Sequence, residues 1–442
     1  MGPRVDPVIS DTDIPPRTTV VVIGGGIIGV SAAYALARKG TPVVLCEKGH
    51  IGGEQSSRNW GWCRKMGRDP REIPLIIESL RLWQGMNEAV GAETGFRTTG
   101  IVYLCETEKD ETRRSAWLEH ARPYQLDTRM IGPDEIDRLM PGATRRFRAA
   151  LYTPSDGRAE PQKATPAIAE AARRAGAIIL TDCAVRGLET SGGRVVAAVT
   201  EKGRIACDSV LLAGGAWSRL FCGNAGLDLK QLKVRSSVMR TEALEGAPEI
   251  SASGAEFGFR KRLDGGYTIA NLNASVTEIV PDSFRLARDF LPLWRSGQAT
   301  VKVRLSRRFM EEARTPRRWS LDTPSPFETT RVLDPDPITA LNDRALASLT
   351  KAFPAFAQAR VAQQWAGMID VTPDAVPVIS PVDSMPGFFI ATGFSGHGFG
   401  IGPAAGRLAA DLITGDQPIV DPTPFRFDRF TGHARSQPMI EI

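Results

Sequence analysis

The ten residues 20–29, VVVIGGGIIG, constrain this chain more than any other stretch. Four β-branched residues in a row describe a parallel strand buried on both faces. Gly24, Gly26 and Gly29 then fall at the spacing G-x-G-x-x-G, with Ile27 and Ile28 between the last two. In a strand–turn–helix unit the first glycine permits the tight turn. The second lets backbone approach a pyrophosphate, and the third lets the helix pack close to the strand. Residues 30–39, VSAAYALARK, supply the helix, and Gly40 stops it. A helix N-terminus here offers free N–H groups and partial positive charge to phosphates. Residues 43–46, VVLC, read as a second strand ending in Glu47 and Lys48. Glu47 lies eighteen residues past Gly29, where a ribose hydroxyl needs an acceptor. Its charge repels a ribose 2′-phosphate, which disfavours NADP and leaves NAD or FAD.

The rest of the chain bounds the class. Its 442 residues suit two interleaved domains, and 42% hydrophobic with 24% charged residues is ordinary for a folded protein. A net charge of +5 fits an anionic small substrate and makes no case for nucleic acid or membrane binding. The six cysteines form no C-x-x-C pair and there are four histidines, so no metal site is expected. Cysteines scattered through strand-like runs suggest reduced thiols and a cytoplasmic location. No apolar run reaches the length of a membrane span. Residues 1–17 are rich in Pro and Asp without an apolar core, so a flexible arm is expected rather than a signal peptide.

The organisation reads as an α/β protein. A discontinuous Rossmann-type nucleotide-binding domain is expected over 18–80, 151–224 and 362–442. In its middle segment, 166–174 reads as a helix and 177–180 as a strand. Residues 195–200 and 204–207 read as a hairpin, and 209–213 as a further buried strand. An inserted antiparallel-sheet (α+β) substrate domain is expected over 81–150, dominated by charged helices, and 225–361. Residues 284–318 read as a basic helical segment with a solvated face.

Further motifs carry a resemblance. They are Ser56-Ser57-Arg58-Asn59-Trp60-Gly61, Leu212-Ala213-Gly214-Gly215-Ala216-Trp217-Ser218, Trp365-Ala366-Gly367-Met368 with Thr372-Pro373-Asp374, and the run 393–400, GFSGHGFG, leading into 403–407, PAAGR. With the opening glycines and Glu47, these resemble the D-amino-acid oxidase superfamily of FAD enzymes, which includes D-amino-acid dehydrogenases and glycine and sarcosine oxidases. The resemblance covers nearly the whole chain in order and implies FAD as cofactor. Beyond the opening loop with Glu47 and Lys48, it assigns cofactor contacts to Ser56, Ser57, Arg58, Asn59, Trp60, Gly61, Val185, Ala213, Gly214, Trp217, Gly367, Asp374, Gly393, Gly396, His397, Gly398, Phe399 and Gly400. The glycine-rich run would open a helix over 403–413, its N–H groups and dipole facing the flavin.

The implied reaction is oxidation of a C–N bond beside a carboxylate. Hydride passes to the flavin, and the resulting imine is hydrolysed by water. The substrate carboxylate needs a cation, and an arginine fork suits it. Arg64 is the first candidate, followed by Arg260 and Arg262, with His397 as a catalytic-site residue and Trp62 beside Trp60 as a pocket wall. Three departures from monomeric sarcosine oxidases stand out. Gly367 occupies the position of the flavin-attaching cysteine, so FAD is expected to be non-covalent. Gly400 replaces a carboxylate-binding lysine, and Thr268 falls where an oxygen-activating lysine is expected. D-amino acids and N-substituted glycines such as sarcosine or iminodiacetate are both open as substrates, and O2 or another acceptor takes the electrons. The rival readings are a flavin subunit of a multi-subunit sarcosine or proline dehydrogenase, and an NAD(P)H-dependent FAD monooxygenase. A homo-oligomer is also compatible with the sequence.

Overall fold

The computed structural model describes residues 2–144, 146–271, 275–295 and 301–430. Val20–Ile23 pairs in parallel with Val43–Cys46 on one side and Ser209–Leu212 on the other. The sheet runs Val378–Pro381, Phe388–Thr392, Ser209–Leu212, Val20–Ile23, Val43–Cys46, Ile178–Leu180. Only the edge strand Val378–Pro381 is antiparallel to its neighbour. Both faces of the central strand are dry, as its unbroken β-branched run requires. Val20 and Val22 pack into a core with helices Ile27–Arg38, Ile73–Gln84, Pro161–Arg174 and Gly398–Thr414. Val21 and Ile23 pack the other way, against the antiparallel strands Val185–Ser191, Arg194–Thr200 and Gly203–Ala206. Two of the helices touch almost backbone to backbone. A Cβ on Gly406 would lie 2.5 Å from the Ala32 nitrogen, so only glycine permits that approach.

A second sheet of ten strands builds the other half. Its long central strand Leu232–Thr241 pairs with Tyr267–Ala270, Ser275–Glu278 and Val361–Val371. Gly258–Lys261, Ser251–Ser253, Ile101–Cys105, Ala149–Thr153 and Arg129–Ile131 continue it. Aromatic rings of Phe259, Tyr267, Phe353 and Phe356 interlock beneath it.

Several sequence expectations change here. Residues 81–150 contribute two strands to this sheet, Ile101–Cys105 and Arg129–Ile131, and the start of a third, Ala149–Thr153, among their short helices. The boundary placed at 362 cuts a strand. Val361–Val371 pairs along its length with Leu232–Thr241, and the nucleotide-type sheet resumes only at Val378. The helix expected over 166–174 begins at Pro161, where a proline costs no hydrogen bond. The arm is not loose. Asp6 N donates to Gln162 O at 3.1 Å, Asp11 N to Ile179 O at 2.8 Å, and Ile179 N to the Asp11 carboxylate at 2.8 Å. The basic segment is several elements: helices Pro281–Arg285, Ala287–Arg295 and Arg308–Arg314 with strand Val301–Arg304 among them. Residues 296–300 within it lie outside the described residues. No helix among the described residues is long and apolar enough to cross a membrane, and none of their His, Cys, Asp and Glu side chains cluster as a metal site.

Candidate active site

The glycine turn is built by exclusion. Gly24 has φ +108°, and a Cβ there would sit 2.5 Å from the Ala213 carbonyl oxygen. A Cβ on Gly29 would lie 1.9 Å from the Gly24 oxygen, so the helix rests directly on the turn. Gly26 caps helix Ile27–Arg38 without a side chain, and the Ile27 N–H donates to Ser56 Oγ at 2.8 Å. Glu47 accepts from Gly25 N at 2.7 Å and Gly49 N at 2.8 Å, one bond to each oxygen, leaving further acceptor capacity on both. Burial raises its carboxyl pKa, while Lys48 and the two N–H groups oppose that shift.

A cavity of about 350 Å³ runs from this turn between the two sheets. Gly24, Gly26, Ile27, Ile28, Glu47, Lys48, Ser56, Arg58, Asn59, Trp60, Gly61, Val185, Ala213, Gly214, Trp217, Gly367, Gly396, His397, Gly398, Phe399 and Gly400 line it, as do Trp62 and Arg64. Four expected cofactor contacts lie elsewhere. Gly29 serves packing. Ser57 is fully buried and donates to the Glu54 carbonyl at 3.2 Å. Asp374 is fully buried and ion-paired with Arg71 at 3.2 Å and Arg429 at 3.1 Å, so it locks the Thr-Pro-Asp turn. Gly393, at φ +77°, turns the chain and donates to Asp370 Oδ2 at 2.7 Å.

The 393–400 run also ends sooner than expected. Helix Gly398–Thr414 starts with His397 as its cap, so Gly398, Phe399 and Gly400 form its first turn and Pro403 lies inside. Proline cannot donate to the Phe399 carbonyl. The next carbonyl, Gly400, is instead taken by Ser79 Oγ at 2.7 Å and Trp83 Nε1 at 2.9 Å. The helix therefore starts at the cavity wall, its unpaired N–H groups and positive end directed there. Two helix N-termini, side-chain-free backbone at the glycine turn and an acid at the far end fit an anionic dinucleotide such as FAD.

At the other end three rings form a wall. Trp60 meets Trp62 edge-on at 5.1 Å between ring centres, and Trp62 lies 6.0 Å from Tyr103. The Arg64 guanidinium stands 5.8 Å over Tyr103 and donates to the Met66 carbonyl. It pairs with no carboxylate among the described residues. The other two proposed arginines do not reach the cavity. Arg260 is 1% exposed and clasps Glu160 with both nitrogens, at 2.7 and 2.9 Å. Arg262 is bound to Asp264 at 3.1 Å and stands 3.9 Å from Glu160. Thr268, also outside the cavity, is buried and accepts from Arg262 at 3.4 Å.

Arg68, Tyr103, Gln55 and Asp370 line the cavity and were not singled out by sequence. Arg68 follows Arg64 by four residues, a spacing that offered a signal; Tyr103 arrives from the other sheet and offered none. Burial raises Asp370 to about 6 against bonds from Gly393 N, Thr392 and Gln55. The folded protein thus holds that proton more tightly than the unfolded chain, whose aspartate titrates near ~3.9. Asp370's contribution to stability falls as pH rises from about 4 to about 6 and is level above. In thermal melts of the holoprotein, the melting advantage of wild type over Asp370→Asn is expected to shrink across that interval. A constant difference would refute this.

The family model "DAO: FAD dependent oxidoreductase" matches residues 19–412. The solved L-amino acid deaminase from Proteus myxofaciens, in complex with anthranilate, is 36% identical, with 97% of this chain and 96% of that one covered and a TM-score of 0.93. Curated glycine oxidase from Pseudomonas aeruginosa is 26% identical, over 92% of this chain and 97% of its own length. Mitochondrial dimethylglycine dehydrogenase from Mus musculus is 25% identical over 94% of this chain, which spans only 45% of that relative. The chain belongs to the DAO family of FAD-dependent oxidoreductases and is itself an FAD enzyme acting on amino acids or amines.

Proposed function

We propose that this protein oxidises the Cα–N bond of an L-α-amino acid, releasing the 2-oxo acid and ammonia. Arg64 carries the reading. It is a cavity arginine without a carboxylate partner among the described residues, set beside the wall of Trp60, Trp62 and Tyr103. The guanidinium fork grips the substrate carboxylate, and the rings take its side chain and exclude water. FAD in the cavity supplies a two-electron hydride acceptor. The protein's own work is to hold Cα in register, bind the carboxylate and leave the amine an acceptor for its proton. The L series is favoured over the D-amino acids and N-substituted glycines left open by sequence, because the 36%-identical neighbour is an L-amino acid deaminase. Incubation with L- and D-amino acids, sarcosine and iminodiacetate, followed by assay of oxo acid and ammonia, tests this. Product from L-amino acids supports the reading, and product from D-amino acids or sarcosine alone overturns it.

The same reading makes the cofactor non-covalent. Gly367 has no side chain to bond with, and among the described residues the cysteine that lines the cavity is Cys46, next to Glu47. Acid precipitation is expected to release all yellow colour into the supernatant; colour in the pellet would show a covalent bond.

A further inference from the structure

Three side chains from two parts of the chain, Arg68 and Glu72 from one and His397 from the other, meet at the cavity. Glu72 ends the turn Pro70–Glu72 and is fully buried, as is Arg68 beside it. His397 caps helix Gly398–Thr414 and lines the cavity. Arg68 Nη1 and His397 Nδ1 approach the same oxygen, Glu72 Oε2, at 3.8 and 3.4 Å. Neither Glu72 oxygen, nor Arg68 Nη1, nor His397 Nδ1 has a hydrogen-bond partner among the described residues. A buried carboxylate without hydrogen bonds is costly and calls for a use. The cluster is also held firmly. Arg68 donates to Arg64 O at 3.1 Å and His397 O at 3.2 Å, and Trp117 Nε1 donates to Arg68 O at 2.9 Å.

We infer that Glu72 is a positioning residue for proton removal from the substrate, pinning His397 with Nδ1–H toward its carboxylate and Nε2 toward the cavity as acceptor of the ammonium proton. This rests on the amino-acid reading above. The substrate N–H bond breaks with its electron pair left on nitrogen, and the proton adds to Nε2. The imidazolium so formed is offset by Glu72, and the proton passes to water as product leaves. The neutral amine then has the lone pair that C–H cleavage requires. Burial lowers the resting ring below the ordinary imidazole value and keeps it deprotonated, with Glu72 opposing that shift and Arg68 and Arg64 adding to it. Among the described residues, those three are the charged groups with the largest effect on it.

Two measurements on the FAD-loaded full chain test the assignment. Nitrogen-15 NMR of the four histidines, with His397→Asn as the assignment control, is expected to show His397 as the Nδ1–H tautomer. An Nε2–H tautomer overturns the proposal without any substrate. Stopped-flow reduction by an amino acid should be flat between about pH 6 and pH 8 in wild type and rise about tenfold per pH unit in Glu72→Gln, where only free amine reacts. A wild-type profile that already rises tenfold per unit, or a flat Glu72→Gln profile, overturns it. If Glu72→Gln does not fold, the wild-type profile and the tautomer still decide. Failure of every amino acid to react removes the functional reading, while the tautomer still judges the geometry.

Discussion

Gly29→Ala is expected to purify nearly colourless, with a melting temperature well below wild type. Its Cβ would stand 1.9 Å from the Gly24 carbonyl oxygen and 3.1 Å from its carbon, both backbone atoms. That carbonyl cannot swing aside cheaply, because Gly24 is held by its N–H bond to Cys46 O at 2.9 Å and by contact with Ala213. The turn must shift, and with it the Ile27 N–H that Ser56 anchors. Overpacking of this kind costs about 3 kcal/mol. Loss of the cofactor removes its binding contribution to stability as well. The control is Gly223→Ala, in helix Ser218–Asn224 with open space around the added methyl. It should be neutral or stabilising by up to ~1 kcal/mol. The flavin-to-protein absorbance ratio and melting curves with and without added FAD read both. A yellow Gly29→Ala protein melting like wild type would refute the role of that contact.

Arg64→Met and Arg260→Met should fail in opposite ways. Arg64 spends one backbone hydrogen bond on the fold and otherwise faces the cavity. Its loss should lower kcat/KM roughly hundredfold, through a substrate carboxylate left without its fork, while flavin content and melting stay near wild type. Arg260 is committed to Glu160. Burial alone would raise that carboxylate, yet Arg260, with help from Arg262, holds it down at about 2. Removing Arg260 strands a buried charge and should cost about 3–5 kcal/mol in stability. Steady-state kinetics and melting curves on the same preparations separate the two. A stable Arg260→Met with a raised KM would return that arginine to the substrate site.

The contrast between these arginines shows what the sequence could reveal. The nucleotide turn was readable because the strand, glycines, helix, second strand and acid that mark it lie within thirty positions, from Val20 to Glu47, although Ser56 and Ala213 complete it from outside that stretch. Arg260 misled because its partner Glu160 stands one hundred positions away, and a paired arginine looks the same in sequence as a free one. Pro403 misled in another way. Proline usually marks a helix start, but here Ser79 and Trp83 from a different helix take up the next carbonyl and let the helix begin five residues earlier. The domain boundary at 362 fell inside the strand Val361–Val371 because its partner, Leu232–Thr241, is separated from it by more than a hundred residues. Glu72 gave no signal at all. It sits in a stretch of ordinary helix-start residues, and only burial against Arg68 and His397 sets it apart.

The central claim is that the cavity end built from Arg64, Trp60, Trp62 and Tyr103 receives an amino acid for C–N oxidation. Anaerobic titration of the bound flavin's visible absorption tests it most directly, with L- and D-amino acids, sarcosine, iminodiacetate and NADH each added in turn. The account predicts bleaching by L-α-amino acids and none by NADH, with the bleaching slowed roughly hundredfold in Arg64→Met at the same concentration. Bleaching by NADH and by no amino acid would contradict it and identify an NADH-dependent flavoprotein instead.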